Sequence, residues 1–314
     1  MKNKRFFILI ILFLVSSMSL NVFAATVSES TTNVPTIYGK AAITVDVATG
    51  EIIYAKDVDK QMYPASTTKL ITALLLAENR VKTDKIKYTQ SAKIQPADSL
   101  NVNLHPIALN ETMSSADVMD GLLMYSANDT AYMIADNIAG NPTNFMKMMN
   151  DKAAKLKMTK THFVTPNGLH DPDHYTTPYD MSILARSAFL NPWVKESMNK
   201  KQSTLSTSKG TTFKIENSNK LLGIDGCIGG KTGYTSKAGR CLVAFYERNG
   251  REIMGVVMGS EIYPNDTYVF NDMEKIINYS YILKRTVLHA NNSVVKTEIL
   301  KYKPDRKSTR LNSS

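Results

Sequence analysis

Only 2 of the 314 residues are cysteine and 1 is tryptophan. Two cysteines are too few for a disulfide framework. The longest apolar run, residues 6–15, is shorter than the ~20 residues a membrane-spanning helix needs. No internal repeat or low-complexity tract is present, and no histidine pair has the HExxH-type spacing that fixes metal-ligand geometry. Solenoids, collagen-like fibres and a sequence-evident zinc peptidase are thereby excluded. What remains is ordinary globular composition, 43% hydrophobic and 21% charged.

Basic residues are plentiful, and the formal charge of +10 raises a nucleic-acid or anionic-surface reading. Their distribution dissolves it. Lys2, Lys4 and Arg5 precede the apolar run, and a polar stretch then closes on Val22-Phe23-Ala24, the plan of a secretory signal peptide cleaved after Ala24. Residues 305–314 lack apolar periodicity and resemble the conceptual translation of a sequencing-adapter oligonucleotide, so the native frame is expected to stop near Pro304. Without residues 1–24 and 305–314 the chain carries 32 basic and 27 acidic residues, a charge of +5. No nucleic-acid partner is expected.

Residues 41–56 read as two short strands turning at Thr49-Gly50. From Ser66 to Glu78 the period becomes helical through Leu70, Ile71, Leu74 and Leu75. Ser114-x-x-Asp117 resembles a capping box opening a helix that halts near Ser126-Ala127-Asn128. Further helices are expected over 130–139, from Asn141-Pro142 to about Leu156, and from Thr177-Pro178 through Leu190. The C-terminal third returns to strands over 227–235, 241–248 and 252–259, with Asn249-Gly250 the strongest hairpin signal, followed by a helix over 269–283. Strands at both ends with helices between them predict an α+β fold, an antiparallel sheet built from both termini with helices packed on it. Residues 286–288 and 294–301 read as strands opening a second, truncated β domain over 285–304.

Ser66 and Lys69 stand three apart at the start of the first helix, which places hydroxyl and amine on one face. A serine hydroxyl needs a proton acceptor. A lysine can serve only if burial or a neighbouring cation lowers its pKa from about 10.4. Lys69 lies among apolar residues, and a second lysine, Lys231, is available in Gly229-Gly-Lys-Thr-Gly233. Ser-x-x-Lys alone is a weak signal. Its combination, in order, with Ser126-Ala-Asn128 at a helix break and Lys231-Thr-Gly233 on a strand is far more specific.

With these motifs, and with Tyr63-Pro-Ala-Ser-Thr-Thr-Lys69, Thr165-Pro-Asn-Gly-Leu169, Tyr179-Asp180 and Ala238-Gly239, the sequence resembles the low-molecular-mass D-alanyl-D-alanine carboxypeptidases, the penicillin-binding serine peptidase family S11, over about residues 38–284. The resemblance implies a β-lactamase/transpeptidase-like fold for a catalytic domain over 30–284 and no cofactor or metal. It makes Ser66 the nucleophile, Lys69 its base and Ser126 the proton relay to the leaving amine. Asn128 would hold the substrate amide, Lys231 and Thr232 would bind the terminal carboxylate, and Gly233 would let an extended peptide lie along the strand. The oxyanion hole would combine the N–H of Ser66 with that of Tyr234 or Thr235. The implied substrate is a peptidoglycan stem peptide ending in D-Ala-D-Ala, with β-lactams as covalent inhibitors, outside the cytoplasmic membrane. Relatives commonly carry a C-terminal amphipathic anchor, which implies peripheral membrane contact through a segment beyond this sequence.

The chain departs from the family in having no arginine over 259–271 for the carboxylate, a role open to Arg240 or Lys237. A D,D-endopeptidase and a non-catalytic penicillin-binding sensor remain alternatives. A class A β-lactamase fits less well, because residue 127 is alanine and residues 159–179 contain no glutamate. His162, His170 and His174 read as a turn-rich loop, methionines such as Met119 and Met124 as core filler, Trp193 as helix-end packing, and Lys195 to Lys201 as a solvated charge cluster. Cys227 and Cys241 could pair in an exported chain.

Overall fold

Asn249 and Gly250 both adopt positive φ, 52° and 75°, as a two-residue turn between right-twisted strands requires. They join strands Gly239–Arg248 and Arg251–Ser260, the interior of a five-stranded antiparallel sheet. The computed structural model describes residues 33–101, 105–262 and 266–283, with the backbone of 298–299 and 307–308. Internal contacts divide the chain after Val34, and this architecture belongs to the unit Pro35–Ser314.

In chain order the strands are β1 (Ala41–Asp46), β2 (Ile52–Lys56), β3 (Lys85–Lys87), β4 (Thr112–Ser114), β5 (Gln202–Ser206), β6 (Thr212–Glu216), β7 (Cys227–Thr235), β8 (Gly239–Arg248) and β9 (Arg251–Ser260). The helices are α1 (Lys69–Asn79), α2 (Ser115–Asp120), α3 (Asn128–Ala139), α4 (Pro142–Lys155), α5 (Pro178–Phe189), α6 (Pro192–Asn199) and α7 (Tyr268–Ile282), besides a single turn at Gln90–Lys93. The main sheet runs β2-β1-β9-β8-β7. The first and last strands of the domain therefore lie side by side, as expected.

Both sheet faces are buried, which is why β8 and β9 read as continuous apolar runs. Cys241, Val243 and Phe245 point into the larger core with α1 and its neighbours. Leu242, Ala244 and Tyr246 point into a smaller core against α7, where Val269, Met273, Ile276 and Ile277 meet them. A Cβ at Gly255 would come 2.3 Å from Met273 Sδ, so glycine there permits the close approach of α7.

The helix starts follow the caps read from sequence. Ser114 Oγ accepts from Asp117 N–H, Asn141 Oδ1 from Asn144 N–H and Thr177 Oγ1 from Asp180 N–H. α1 is buried around most of its circumference and forms the centre of the helical layer.

Several expectations are corrected. β5 and β6 form a hairpin that the periodicity did not reveal. Lys195 to Lys201 is not simply a solvated cluster. Lys195 pairs with Glu252 at 2.7 Å, and Lys200 pairs at 2.9 Å with the buried Asp120. The cysteines are free. Cys227 belongs to the smaller core and Cys241 to the larger, so their side chains leave the sheet on opposite faces.

Among the described residues no group of histidine, cysteine and carboxylate side chains could hold a metal, and no helix is long and apolar enough to cross a membrane. Of the expected second domain, Glu298–Ile299 is strand and pairs antiparallel with Lys307–Ser308. The signal peptide expected at 1–24 and the strand expected at 286–288 lie outside the described residues.

Candidate active site

Ser66 sits in a 3-10 turn, Ala65–Thr68, that runs directly into α1. The turn is held by Pro64 C=O, which accepts from Thr67 N–H (3.2 Å) and from Thr67 Oγ1 (2.6 Å). Ala65 takes φ of 49°, a left-handed conformation unusual for a residue with a Cβ. Such departures collect at functional sites, where surrounding contacts impose them.

Lys69 lies one turn on and is fully buried. Its Nζ is 2.8 Å from Ser66 Oγ, 2.9 Å from Asn128 Oδ1 and 2.9 Å from the carbonyl oxygen of Asn167. Asn128 Nδ2 donates to Ala97 C=O at 2.8 Å, which fixes the amide with its oxygen toward Lys69. Burial pushes the Lys69 amine well below its ordinary value, Lys231 pushes it further, and Asp98 and Asp129 oppose the shift only in part.

Ser126 follows a π-helical turn, Gly121–Tyr125, that ends α2. It adopts φ of 71°, and Ala127 N–H closes the turn on Gly121 C=O at 3.0 Å. Asn128 then begins α3, and its N–H donates to Asp98 C=O at 2.9 Å. The break in helical periodicity seen at Ser126-Ala-Asn128 is thus a device that turns a hydroxyl out of a buried helix end.

Lys231 is on β7 and also fully buried. Its Nζ donates to Ser126 Oγ (2.8 Å) and Thr232 C=O (2.9 Å), and burial lowers its pKa to about 7. Thr232 Oγ1 is 2.7 Å from Ser218 Oγ. A Cβ at Gly233 would lie 3.0 Å from Ser66 N and 3.1 Å from Thr67 N, so this stretch of β7 borders the serine turn directly. Tyr234, next along, is 42% exposed. The three motifs predicted to share a site therefore converge, with Ser66, Lys69 and Asn128 in one bonded cluster and Ser126 with Lys231 in a second.

Sequence reasoning assigned no role to several groups that build this site. Asn167 supplies the second carbonyl-type acceptor for Lys69. Gly168, in the same turn, has φ of 84° and would place a Cβ 1.9 Å from Ala65 O. His174, read as part of a loop, is buried with its Nε2 2.8 Å from Oγ1 of Thr68, the residue before Lys69. The Asn-Gly pair at 167–168 was the available signal, since it favours a turn with positive φ. Arg240 is already engaged: its guanidinium meets Asp266 at 2.6 and 2.5 Å and lies 4.7 Å from the Tyr234 ring centre.

A serine beside a buried amine held by fixed acceptors, with a second buried amine on the adjoining strand, defines an active-serine enzyme of the Ser-Lys type. Residues 28–262 match the peptidase S11 family, described as D-alanyl-D-alanine carboxypeptidase, and the chain belongs to that family. It is 28% identical over 273 residues to the D-alanyl-D-alanine carboxypeptidase DacF of Bacillus subtilis, covering 84% of this chain and 68% of that one. It is 31% identical over 275 residues to DacC of Escherichia coli, covering 83% and 65%. The chain thus spans about two thirds of the length of these relatives. Penicillin-binding protein D2 of Listeria monocytogenes, solved in its ampicillin-bound form, is similar with a TM-score of 0.68 and 32% identity, covering 79% of this chain and all of that one. The fold is therefore the α+β fold of penicillin-binding peptidases.

Proposed function

We propose that the protein is an exported serine-type carboxypeptidase that removes the terminal D-alanine from peptidoglycan stem peptides ending in D-Ala-D-Ala. The observation that carries this reading is the environment of Lys69. A neutral amine has two N–H groups and one lone pair. Asn128 Oδ1 and Asn167 C=O can only accept, so they take the two N–H groups and leave the lone pair for the Ser66 hydroxyl 2.8 Å away. Burial without a carboxylate in ion-pair contact pushes the amine well below its ordinary value, which favours the neutral form.

Ser66 Oγ attacks the carbonyl carbon of the penultimate D-alanine as Lys69 takes its proton. The oxygen that becomes anionic faces the backbone N–H of Ser66 and that of Tyr234 or Thr235. Ser126, bonded to Lys231, relays the proton taken up by Lys69 to the departing amine nitrogen, the C–N bond breaks, D-alanine leaves and Lys69 is neutral again. Water, deprotonated by Lys69, then cleaves the Ser66 ester, and Lys69 returns that proton to Ser66 Oγ as the shortened peptide leaves. Lys231 and Thr232 face the substrate carboxylate; an incoming anion favours the charged form of Lys231, whose pKa of about 7 makes this an easy proton uptake. Asn128 and the edge of β7 at Gly233 hold the peptide backbone. A β-lactam enters by the same attack, and its ring C–N bond opens with the leaving nitrogen still tethered, so the ester persists.

The engagement of Arg240 by Asp266 supports a second reading, D,D-endopeptidase action. A guanidinium already paired with a carboxylate contributes less to holding a free terminal carboxylate, so a larger leaving group is better tolerated. Incubation with a pentapeptide and with a cross-linked dimer separates the two. Free D-alanine from the pentapeptide supports the carboxypeptidase reading, cleavage of the dimer alone supports the endopeptidase reading, and turnover of neither contradicts both.

A further inference from the structure

His174 takes no part in that reaction, yet both its ring nitrogens are committed to the segments that carry Lys69 and Asn167. The side chain is 2% exposed. Nδ1 accepts from the N–H of Val164 at 3.0 Å and of Thr165 at 3.2 Å, and Nε2 lies 2.8 Å from Thr68 Oγ1. Backbone amides can only donate, so Nδ1 carries no proton. The ring proton is on Nε2 and is donated to Thr68. Thr68 directly precedes Lys69, and residues 164–165 directly precede the turn that carries Asn167. The imidazole thus joins the helix bearing the base to the turn bearing the base's acceptor. That turn has little slack, since Thr72 Oγ1 donates to Pro166 C=O at 2.6 Å and Gly168 packs against Ala65 O.

We propose that His174, as the neutral Nε2–H tautomer, is a positioning residue for the general base: it sets the Asn167 carbonyl and through it the direction of the Lys69 lone pair. The proposal rests on the Ser66–Lys69 reading above. When the Asn167 carbonyl is displaced, the amine loses one of its two acceptors, rotates, and gains access to water. The lone pair then leaves Ser66 and the Lys69 pKa rises toward its ordinary value. The groups facing His174 are Asp171, which favours the cation, and His162 and His170, which oppose it; burial dominates and lowers its pKa to about 4. Lys69 in turn is faced by Lys231, Asp98 and Asp129. Over the neutral range the ring therefore keeps its lone pair on the two amides, and only near pH 4 does an Nδ1 proton confront them.

The test is the pH profile of acylation by a fluorescent penicillin in the wild type, His174→Phe, His174→Gln and Thr68→Val, each checked by thermal melting. Phenylalanine keeps the ring volume and removes both polar atoms, whereas glutamine supplies an oxygen acceptor and an N–H donor that cannot charge. His174→Phe is expected to slow acylation at pH 7 by about tenfold or more, in line with the cost of displacing a catalytic group by about 1 Å. Its acid limb moves to higher pH while the pre-covalent Kd changes little, and His174→Gln restores most of the rate and the position of the limb. Thr68→Val shifts the profile the same way by less, and decides the matter if His174→Phe does not fold. A folded variant with the wild-type rate and limb overturns the proposal, as does a slower rate with an unmoved limb and no rescue by glutamine. A wild type that does not acylate at Ser66 removes the Ser66–Lys69 reading instead.

Discussion

Lys69 and Lys231 are fully buried, and neither is within ion-pair distance of a carboxylate among the described residues. A buried ammonium without a counter-ion is so unfavourable that the group gives up its proton instead. On the function proposed above, that makes Lys69 the base and Lys231 an anion-responsive donor. Replacing Lys69 with alanine is expected to lower penicillin acylation by ~10²-fold or more, the usual cost of removing a general base. Stopped-flow labelling measures it. Gly168 acts at the same scale through space alone: its φ of 84° and the 1.9 Å a Cβ would leave to Ala65 O make Gly168→Ala strained twice over. A loss of about 3 kcal/mol or more is expected in urea unfolding.

At the scale of elements, the signals legible in the sequence were those with short-range causes. Asn249-Gly250, the caps at Ser114, Asn141 and Thr177, and the apolar period of α1 each depend on neighbours along the chain. The β5–β6 hairpin was missed because Gln202–Ser206 has a single apolar residue, Leu205, and is held by packing of Leu205, Phe213 and Ile215 into a core assembled from distant segments. The role of Asp120 was hidden for the same reason. Its carboxylate accepts from Ser197 Oγ (2.7 Å), Lys200 Nζ (2.9 Å) and Ser203 Oγ (2.7 Å), tying α6 and β5 to the helix that delivers Ser126. Asp120→Ala leaves those donors without their acceptor and is expected to cost about 2 kcal/mol or more. The candidate site was legible in its three motifs, while Asn167 and His174 contribute through a backbone carbonyl and a buried tautomer, which no spacing rule records. The opposite faces of Cys227 and Cys241 carry their own expectation: reductant leaves the Tm unchanged, and two thiols titrate on denaturation. One or no thiol would contradict the packing.

For the whole molecule, the buried amines set the dependence of stability on pH. Lysine in the unfolded chain holds its proton up to about pH 10, while Lys231 in the fold releases it near pH 7 and Lys69 is depressed as well. Between about pH 7 and 9 the unfolded state therefore binds more protons, and stability rises with pH by up to about 1.4 kcal/mol per pH unit for each lysine. His174, lowered to about 4, adds a further loss as pH falls from about 6.5 toward 4. Above about pH 10 the unfolded lysines have lost their protons as well and the sign reverses, because burial raises the Cys241 thiol to about 11 and the Tyr54 hydroxyl to about 12, so the folded state then binds more protons. Urea unfolding at pH 7, 8 and 9 should show a rising stability; a flat or falling series would contradict the burial of unpaired amines. The central claim, that Ser66 is the nucleophile activated by Lys69, is tested most directly by incubating the protein with a penicillin and mapping the adduct by peptide mass spectrometry. One β-lactam is expected on the peptide containing Ser66, absent in Ser66→Ala. An adduct on another residue, or none in the folded wild type, would contradict it.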